Sequence, residues 1–350
     1  MTLLEHTRSK LRGGVGTSPV VGLDIGCQSI KLVAVERHKD SARVTTACSL
    51  PAINQEIADD GQLQRLLTEV IRDSGLAHGT QCVFSLPSSL VDYQAIECNA
   101  NLTSEDLLSL AHNAIHELLG SERDQASFDF WQTSINEAVS ELHLVWTIAE
   151  HANRITRALY RSGLRPQTVE APALALARLA LDGSVSDRCL VADIGAGEVT
   201  FVWSNVGRAQ YIRNRIKFYD ASASQSLATA HNLDHLSAEQ LLKYYGINDR
   251  GENALAVENF RAIEGWLDKL LFEINRTCQH LHVRYGHSAI EQLWLCGGGA
   301  SISGISQWIA ARTGIRTSIT RPPECCWTAA EPYSPLYAQA VALALHGEPS

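Results

Sequence analysis

Asp24 stands two residues before Gly26 in VVGLDIGCQSIKLVAV (20–35), and Asp193 stands two before Gly195 in CLVADIGAGEVTFVW (189–203). Each time an apolar strand runs into D-I-G, then a short loop of small and polar residues, then a second apolar strand. Glycine at such a turn lets backbone N–H groups point inward as a nest for an anion. A carboxylate beside the nest can hold a hydrated Mg2+. One hairpin of this kind is a weak signal, because a strand-end aspartate also caps ordinary turns. Two of them, each opening one half of the chain, form an internal repeat. Facing each other, they would grip a polyphosphate from both sides. Gly26, Cys27, Gln28 and Ser29 line the first turn and Gly195, Ala196 and Gly197 the second. Lys31, on the returning strand, is either a phosphate contact or a solvated strand residue.

A third stretch, LWLCGGGASISGISQWIAARTGI (293–315), reads as a buried strand, three glycines, a polar turn and a helix stopped by Gly314. Ile305, Trp308 and Ile309 fall on one face of that helix. Gly297, Gly298 and Gly299 clear side chains from a place where a flat ring or a sugar could approach the backbone.

The elements around these loops alternate. GQLQRLLTEVIRDSGL (61–76) puts Leu63, Leu66, Leu67, Val70 and Ile71 at helical spacing before Gly75, and QCVFSLP is a short buried strand. Residues 89–164 read as an insert: an extended VDYQAIECNA, a helix from Thr103 or Ser104, strands near 128–133 and 142–149, and a helix at 150–163. Between 255 and 285 one long helix carries Phe260, Ile263, Leu267, Leu270, Leu271, Ile274, Cys278 and Leu281 as a core-facing stripe.

Composition narrows the classes. A chain of 350 residues exceeds a usual single core, so two lobes are expected. The net charge of −9 and pI near 5.8 give no electrostatic footprint for nucleic acid. Nine scattered cysteines, without a C-x-x-C pair and with Cys325 and Cys326 adjacent, point to reduced thiols in a cytoplasm. Neither a secretory signal nor a membrane span is visible; the most apolar helical stretch, 171–181, is short and broken by Arg178. Residues 1–18 read as a flexible tail. His112 with His116, and His231 with His235, sit at i, i+4, but no third ligand or H-E-x-x-H motif accompanies them.

The order D-I-G hairpin, D-I-G hairpin, GGG-x-x-I-x-G resembles the actin/hexokinase ATPase superfamily. Within it the chain is similar to the PilM family of type IV pilus assembly, with MSHA- and HofM-type proteins as close relatives. SLPSSLVDYQAIECNANLTSEDL, LSAEQLLKYYG and SPLYAQAVALAL carry this likeness along with the three glycine stretches, over most of residues 19–346. The resemblance implies an α/β, two-lobed, actin-like (ribonuclease H-like) fold. Its first lobe would comprise 19–88 and 165–188, and a small α+β subdomain would be inserted at 89–164. The second lobe would comprise 189–218 and 293–350, with a mostly helical subdomain at 219–292. It implies ATP with Mg2+ in the cleft: Asp24 and Asp193 holding the metal through water, Asp193 orienting an attacking water, and Gly297–Gly299 receiving adenosine. Gln240 and Lys243 would reach the ribose, the glutamine replacing a usual acidic residue, and any ATPase activity would be slow.

As partner the resemblance implies a PilN-like inner-membrane protein. Its short cytoplasmic N-terminal peptide would lie between first lobe and insert, recruiting a cytoplasmic protein to the membrane beside other pilus components. Self-association is also compatible with the fold. Three departures qualify the match. Cys27 replaces a usual Ser or Thr. Glu198 follows Gly197, and a carboxylate 5 Å from a phosphate charge costs about 3 kcal/mol per charge pair at an effective dielectric of 20. Phe218-Tyr219-Asp220 replaces a usual glycine pair. The alternatives are a non-binding pseudo-ATPase scaffold, a small-molecule kinase, for which no extra catalytic aspartate motif is found, and a division protein of the FtsA type, for which the C-terminal SPLYAQAVALALHGEPS lacks a basic face.

Overall fold

The computed structural model describes residues 19–38, 41–52, 59–179, 188–249, 253–286, 290–321 and 325–346; the tail expected over 1–18 lies outside them. The first half runs β1 (Val20–Ile25), β2 (Ser29–His38), β3 (Ser41–Pro51), α1 (Asp60–Ser74), β4 (Thr80–Ser85), β5 (Asp92–Asn99), α2 (Ser104–Leu119), β6 (Ala126–Ser134), β7 (Val139–Ile148), α3 (Ala149–Arg161), β8 (Leu164–Glu170) and α4 (Pro172–Arg178). The second runs β9 (Arg188–Ile194), β10 (Glu198–Asn205), β11 (Arg208–Lys217), α5 (Ala223–His231), α6 (His235–Tyr244), α7 (Ala254–Tyr285), β12 (Gln292–Cys296), α8 (Ile305–Thr313), β13 (Thr317–Ile319), β14 (Cys325–Trp327) and α9 (Ala338–Ala344).

Local chemistry sets several of these boundaries. The Asp59 carboxylate accepts from the Gln62 N–H at 2.7 Å to start α1, and Gly75, at φ 68°, ends it. Thr103 and Asp106 form a capping box that starts α2. Along α7 the expected stripe faces inward, with Leu271 only partly buried.

Two sheets share one topology. In the first, β1, β2 and β3 form an antiparallel meander and β4 and β8 add in parallel on the other side of β1. In the second, β9, β10 and β11 repeat the meander and β12 and β13 add beside β9. The internal repeat read from D-I-G is therefore a repeat of whole sheets. A third, three-stranded sheet, ordered β5-β7-β6, forms the insert.

Packing redraws two of the expected boundaries. The second lobe was expected to hold all of 293–350, but β14 pairs with β3 and α9 lies on β1, so the chain returns to the first sheet at its end. A Cβ at Gly22 would overlap the Ala340 carbonyl oxygen and sit 2.5 Å from the Ala344 nitrogen; bare backbone in β1 is what lets α9 approach this closely. The insert was expected to extend to 164. Ile155, Ala158 and Leu159 of α3 instead join Leu63, Leu67 and the first sheet in one core, leaving the insert a small core of Ala111, Ala114, Leu142 and Leu144. Residues 219–292 contain α5, α6 and α7, whose Leu227, Leu242 and Leu267 share a single core with Phe201 and Leu293 of the second sheet.

Between the two sheets lie α4 and α9. Their Ala173, Ala175, Ala177, Ala338 and Ala342 pack with Val83 of the first sheet and Val191, Val202 and Trp294 of the second. The insert is also tied to the second half. Arg284 of α7 pairs with the buried Glu141 of β7 and, at 2.7 Å, with Glu97, while the Tyr285 hydroxyl donates to Glu141 at 2.7 Å. Nearby, Trp131 donates to the Ala209 carbonyl at 2.8 Å and stacks on His143, whose pKa burial lowers to about 4.

Candidate functional site

Asp24 sits at the end of β1, directly opposite Lys31 on β2 and beside Ser85 on β4. Asp193 occupies the matching place on β9, opposite Thr200 on β10 and beside Cys296 on β12. The turns that follow close alike: the Gly26 N–H donates to the Ser29 carbonyl at 3.0 Å, and the Gly195 N–H to the Glu198 carbonyl at 2.9 Å. One design thus appears twice, with different residues at equivalent places.

Those differences divide the electrostatics. Asp24 is 7% exposed and held on both oxygens: Lys31 Nζ lies 3.1 Å from Oδ2, and Gln339 Nε2 donates to Oδ1 at 2.9 Å. Gln339 Nε2 also lies 2.9 Å from Ser85 Oγ, which is 3.5 Å from Oδ1. Burial works against the Lys31 charge, yet the charge and hydrogen bond of Asp24, with the charge of Asp193, raise its pKa above the ordinary value. Among the described residues Asp193 has no ion pair of that kind. Burial first, and the Asp24 charge second, push it up to about 6, with Lys31 and a hydrogen bond from Cys296 pulling the other way. Burial and the neighbouring carboxylates raise the Cys296 thiol as well.

The hairpins act on each other across the gap. Cys27 of the first turn is raised by burial and then by the charge of Glu198 of the second, and Asp193 feels both Asp24 and Lys31. Gln28 is exposed and Ser29 half-buried, while Ala196 and Gly197 are half-buried in the opposite turn. The Phe218 and Tyr219 N–H groups donate to the Gly197 carbonyl at 3.0 and 3.3 Å, so the segment replacing the expected glycine pair folds onto the second turn. It leads into α5, which starts with a capping box of Ser222 and Gln225.

The three-glycine stretch lies against the second hairpin. Gly297 has φ 81°, and a Cβ there would overlap Asp193 Oδ1 and sit 2.7 Å from the Ile194 carbonyl oxygen. A Cβ at Gly299 would collide with the Ile194 side chain. These two glycines are demanded by packing against Asp193–Ile194, whereas Gly298 is exposed. Gln240 and Lys243 are exposed on α6; Gln240 lines a surface hollow of about 460 Å³ with Leu233, Ser237 and Tyr244. The end of α6 meets the loop beyond the glycines, where the Ser303 N–H donates to the Leu242 carbonyl at 3.1 Å.

Elsewhere the residues set aside in the sequence have ordinary surroundings. His112 packs edge-on against Phe128, and His235 Nε2 lies 3.1 Å from Ser224 Oγ. Among the described residues no group of three His, Cys, Asp or Glu is placed to hold a metal ion, and no helix is long and apolar enough to cross a membrane. Sequence reasoning missed Ser85, Gln339 and the contact of Cys296 with Asp193. One signal existed: Gln339 is the single polar residue in AQAVALAL (338–345).

Comparison with known proteins bears on this geometry. The family described as type IV pilus assembly protein PilM matches residues 22–346. Among solved structures, a PilM-PilN type IV pilus biogenesis complex aligns with a TM-score of 0.73 at 20% identity, covering 94% of this chain and 99% of that one. The ethanolamine utilization protein EutJ of Carboxydothermus hydrogenoformans aligns with a TM-score of 0.55 at 15% identity, covering 96% and 92%. A diol dehydratase-reactivating factor in its nucleotide-free form aligns with a TM-score of 0.53 at 10% identity, covering 94% and 99%. The fold is the α/β actin-like fold expected from the sequence.

Proposed function

The chain belongs to the type IV pilus assembly PilM family, and from that premise we propose that this actin-like assembly component holds ATP with Mg2+ between its two D-I-G hairpins. The observation that carries the reading is the duplicated placement of Asp24 and Asp193 at matching positions of two like sheets, close enough for one charge to shift the other. The donor set suits the metal. Mg2+ keeps several waters and takes one or two carboxylates, and Asp24, with Lys31 and Gln339 already on its oxygens, is suited to contact through water.

In this reading Gly26, Cys27, Gln28 and Ser29 face one side of the phosphates, with Lys31 behind them, and Gly195, Ala196 and Gly197 face the other. Bound Mg2+ would supply positive charge to offset the phosphates and Glu198. Asp193, ionised above about pH 6, would orient a water for slow hydrolysis. Gly297–Gly299 would lie along adenosine, with Gln240 and Lys243 towards the ribose. The N-terminal cytoplasmic peptide of a PilN-type inner-membrane protein would bind between the first sheet and the insert; support for a partner of this type comes from the likeness of this chain to a PilM-PilN complex. Recruitment to the inner membrane would follow from that partner.

Two titrations test the proposal. A fluorescent ATP analogue added with and without Mg2+ should bind saturably, more tightly with the metal. A labelled peptide from the cytoplasmic end of the cognate PilN-type protein should also saturate. Peptide binding without nucleotide binding would instead establish a scaffold that has lost its ligand. That second reading is favoured by Glu198 at the mouth of the turn and by Tyr219 closing over Gly197. Absence of both bindings refutes the assignment.

A further inference from the structure

One buried polar side chain reaches this site from an element that none of the three glycine loops contains. Gln339 lies on α9, 315 residues from Asp24 in sequence and 8% exposed. Its Nε2 donates to Asp24 Oδ1 and to Ser85 Oγ, both at 2.9 Å. We infer that Gln339 is a positioning residue for the metal side of the phosphate site, fixing the Asp24 carboxylate so that its free lone pairs face the gap between the hairpins. The inference rests on the nucleotide reading above.

Three features support the role. A carboxylate offers about four acceptor positions; Lys31 takes one on Oδ2, and the amide at 2.9 Å and the Ser85 hydroxyl at 3.5 Å act on Oδ1, which locks the carboxylate plane and leaves a position on Oδ2 directed. The second anchor is also neutral. A lysine or arginine at position 339 would hold Asp24 equally well but would add a positive charge beside a metal site, whereas an amide leaves the negative charge available. The third feature is the rigidity of the anchor. The α9 backbone lies against bare backbone at Gly22, two residues before Asp24 on the same strand, so helix and carboxylate keep a fixed separation.

Residues that orient a metal-binding side chain typically alter metal affinity by roughly tenfold or more when removed. The test uses the full chain and a fluorescent ATP analogue, titrated in chelator and then across Mg2+ concentrations, with Gln339→Met and Ser85→Ala beside the unaltered protein. Gln339→Met keeps length and removes the donor; it should raise the Mg2+ concentration for half-maximal enhancement roughly tenfold while leaving affinity in chelator nearly unchanged. Ser85→Ala removes the second amide contact and the longer 3.5 Å contact of Ser85 with Asp24 while keeping the 2.9 Å amide bond to Asp24, and should shift the same quantity in the same direction by less. Melting curves confirm that each variant folds, and Ser85→Ala carries the test if Gln339→Met does not. Unchanged Mg2+ dependence, or an equal loss with and without the metal, overturns the inference alone. Failure of the unaltered protein to bind nucleotide overturns the cofactor reading and the inference with it.

Discussion

Replacing Asp193 with Asn should stabilise the ligand-free protein, and by an amount that depends on pH. Asp193 is held beside Asp24 without an ion-pair partner among the described residues, and its pKa moves from 3.8 to about 6, by burial first and the Asp24 charge second. Each pKa unit corresponds to about 1.4 kcal/mol, so a shift of roughly two units makes the ionised side chain cost the fold about 3 kcal/mol above neutral pH. The folded state therefore binds the extra proton between about pH 4 and pH 6. The associated stability is complete below the unfolded value, declines as pH rises through 6, and is gone above about pH 7. Asparagine keeps the shape and cannot ionise. Urea denaturation in chelator, repeated from pH 4.5 to 8, should show the wild type losing stability relative to Asp193→Asn as pH rises, with the gap levelling near 3 kcal/mol. A gap that stays flat across this range, or a variant less stable at pH 7.5, would refute the electrostatic account of the site.

Gly297→Ala should abolish binding of a fluorescent ATP analogue and lower stability by about 2 kcal/mol or more, since the new methyl overlaps Asp193 and the backbone stays at φ 81°; calorimetry and the nucleotide titration read both effects. Arg284→Ala should cost about 3 kcal/mol in denaturant, because it leaves Glu141 buried without its cation; adding Glu141→Gln should restore much of the loss, and a double-mutant cycle measures the recovery. Val206 holds φ 51° at the exposed β10–β11 turn, so Val206→Asn should raise the melting temperature by relieving about 1 kcal/mol of strain; an unchanged melting temperature would count against strain there.

What could be read in advance was what the chain writes locally. The D-I-G hairpins are strand-turn-strand units whose paired residues lie within 17 positions of each other, and α1, α2 and α7 announce themselves by spacing and caps. The misread parts depend on distant pairings. Helix α3 was legible as a helix, but its partner α1 lies across the insert, so the periodicity of 150–163 could not show which core it joins. The short β14 carries no alternation of its own and is defined by β3, nearly 300 residues earlier. Cys296 reads as one more apolar strand residue until β12 pairs with β9 and brings it to Asp193. Ser85 and Gln339 became part of the site by the same kind of long-range closure. The three glycines were legible as a place without side chains, but not that Gly297 and Gly299 also make room for Asp193 and Ile194 of the protein itself.

The alanines of α4 and α9 have a mechanical consequence. Surfaces with large interlocking side chains resist lateral displacement, because each knob must climb out of its hole; a layer of methyl groups presents almost no relief. At Ala173, Ala175, Ala177, Ala338 and Ala342 the seam between the halves is built from small side chains, beside the larger Leu176, Leu343 and Trp294, and shear between packed elements works through small sliding at such contacts. Bulky substitutions there would act as a brake, slowing the jaws without touching anything they hold.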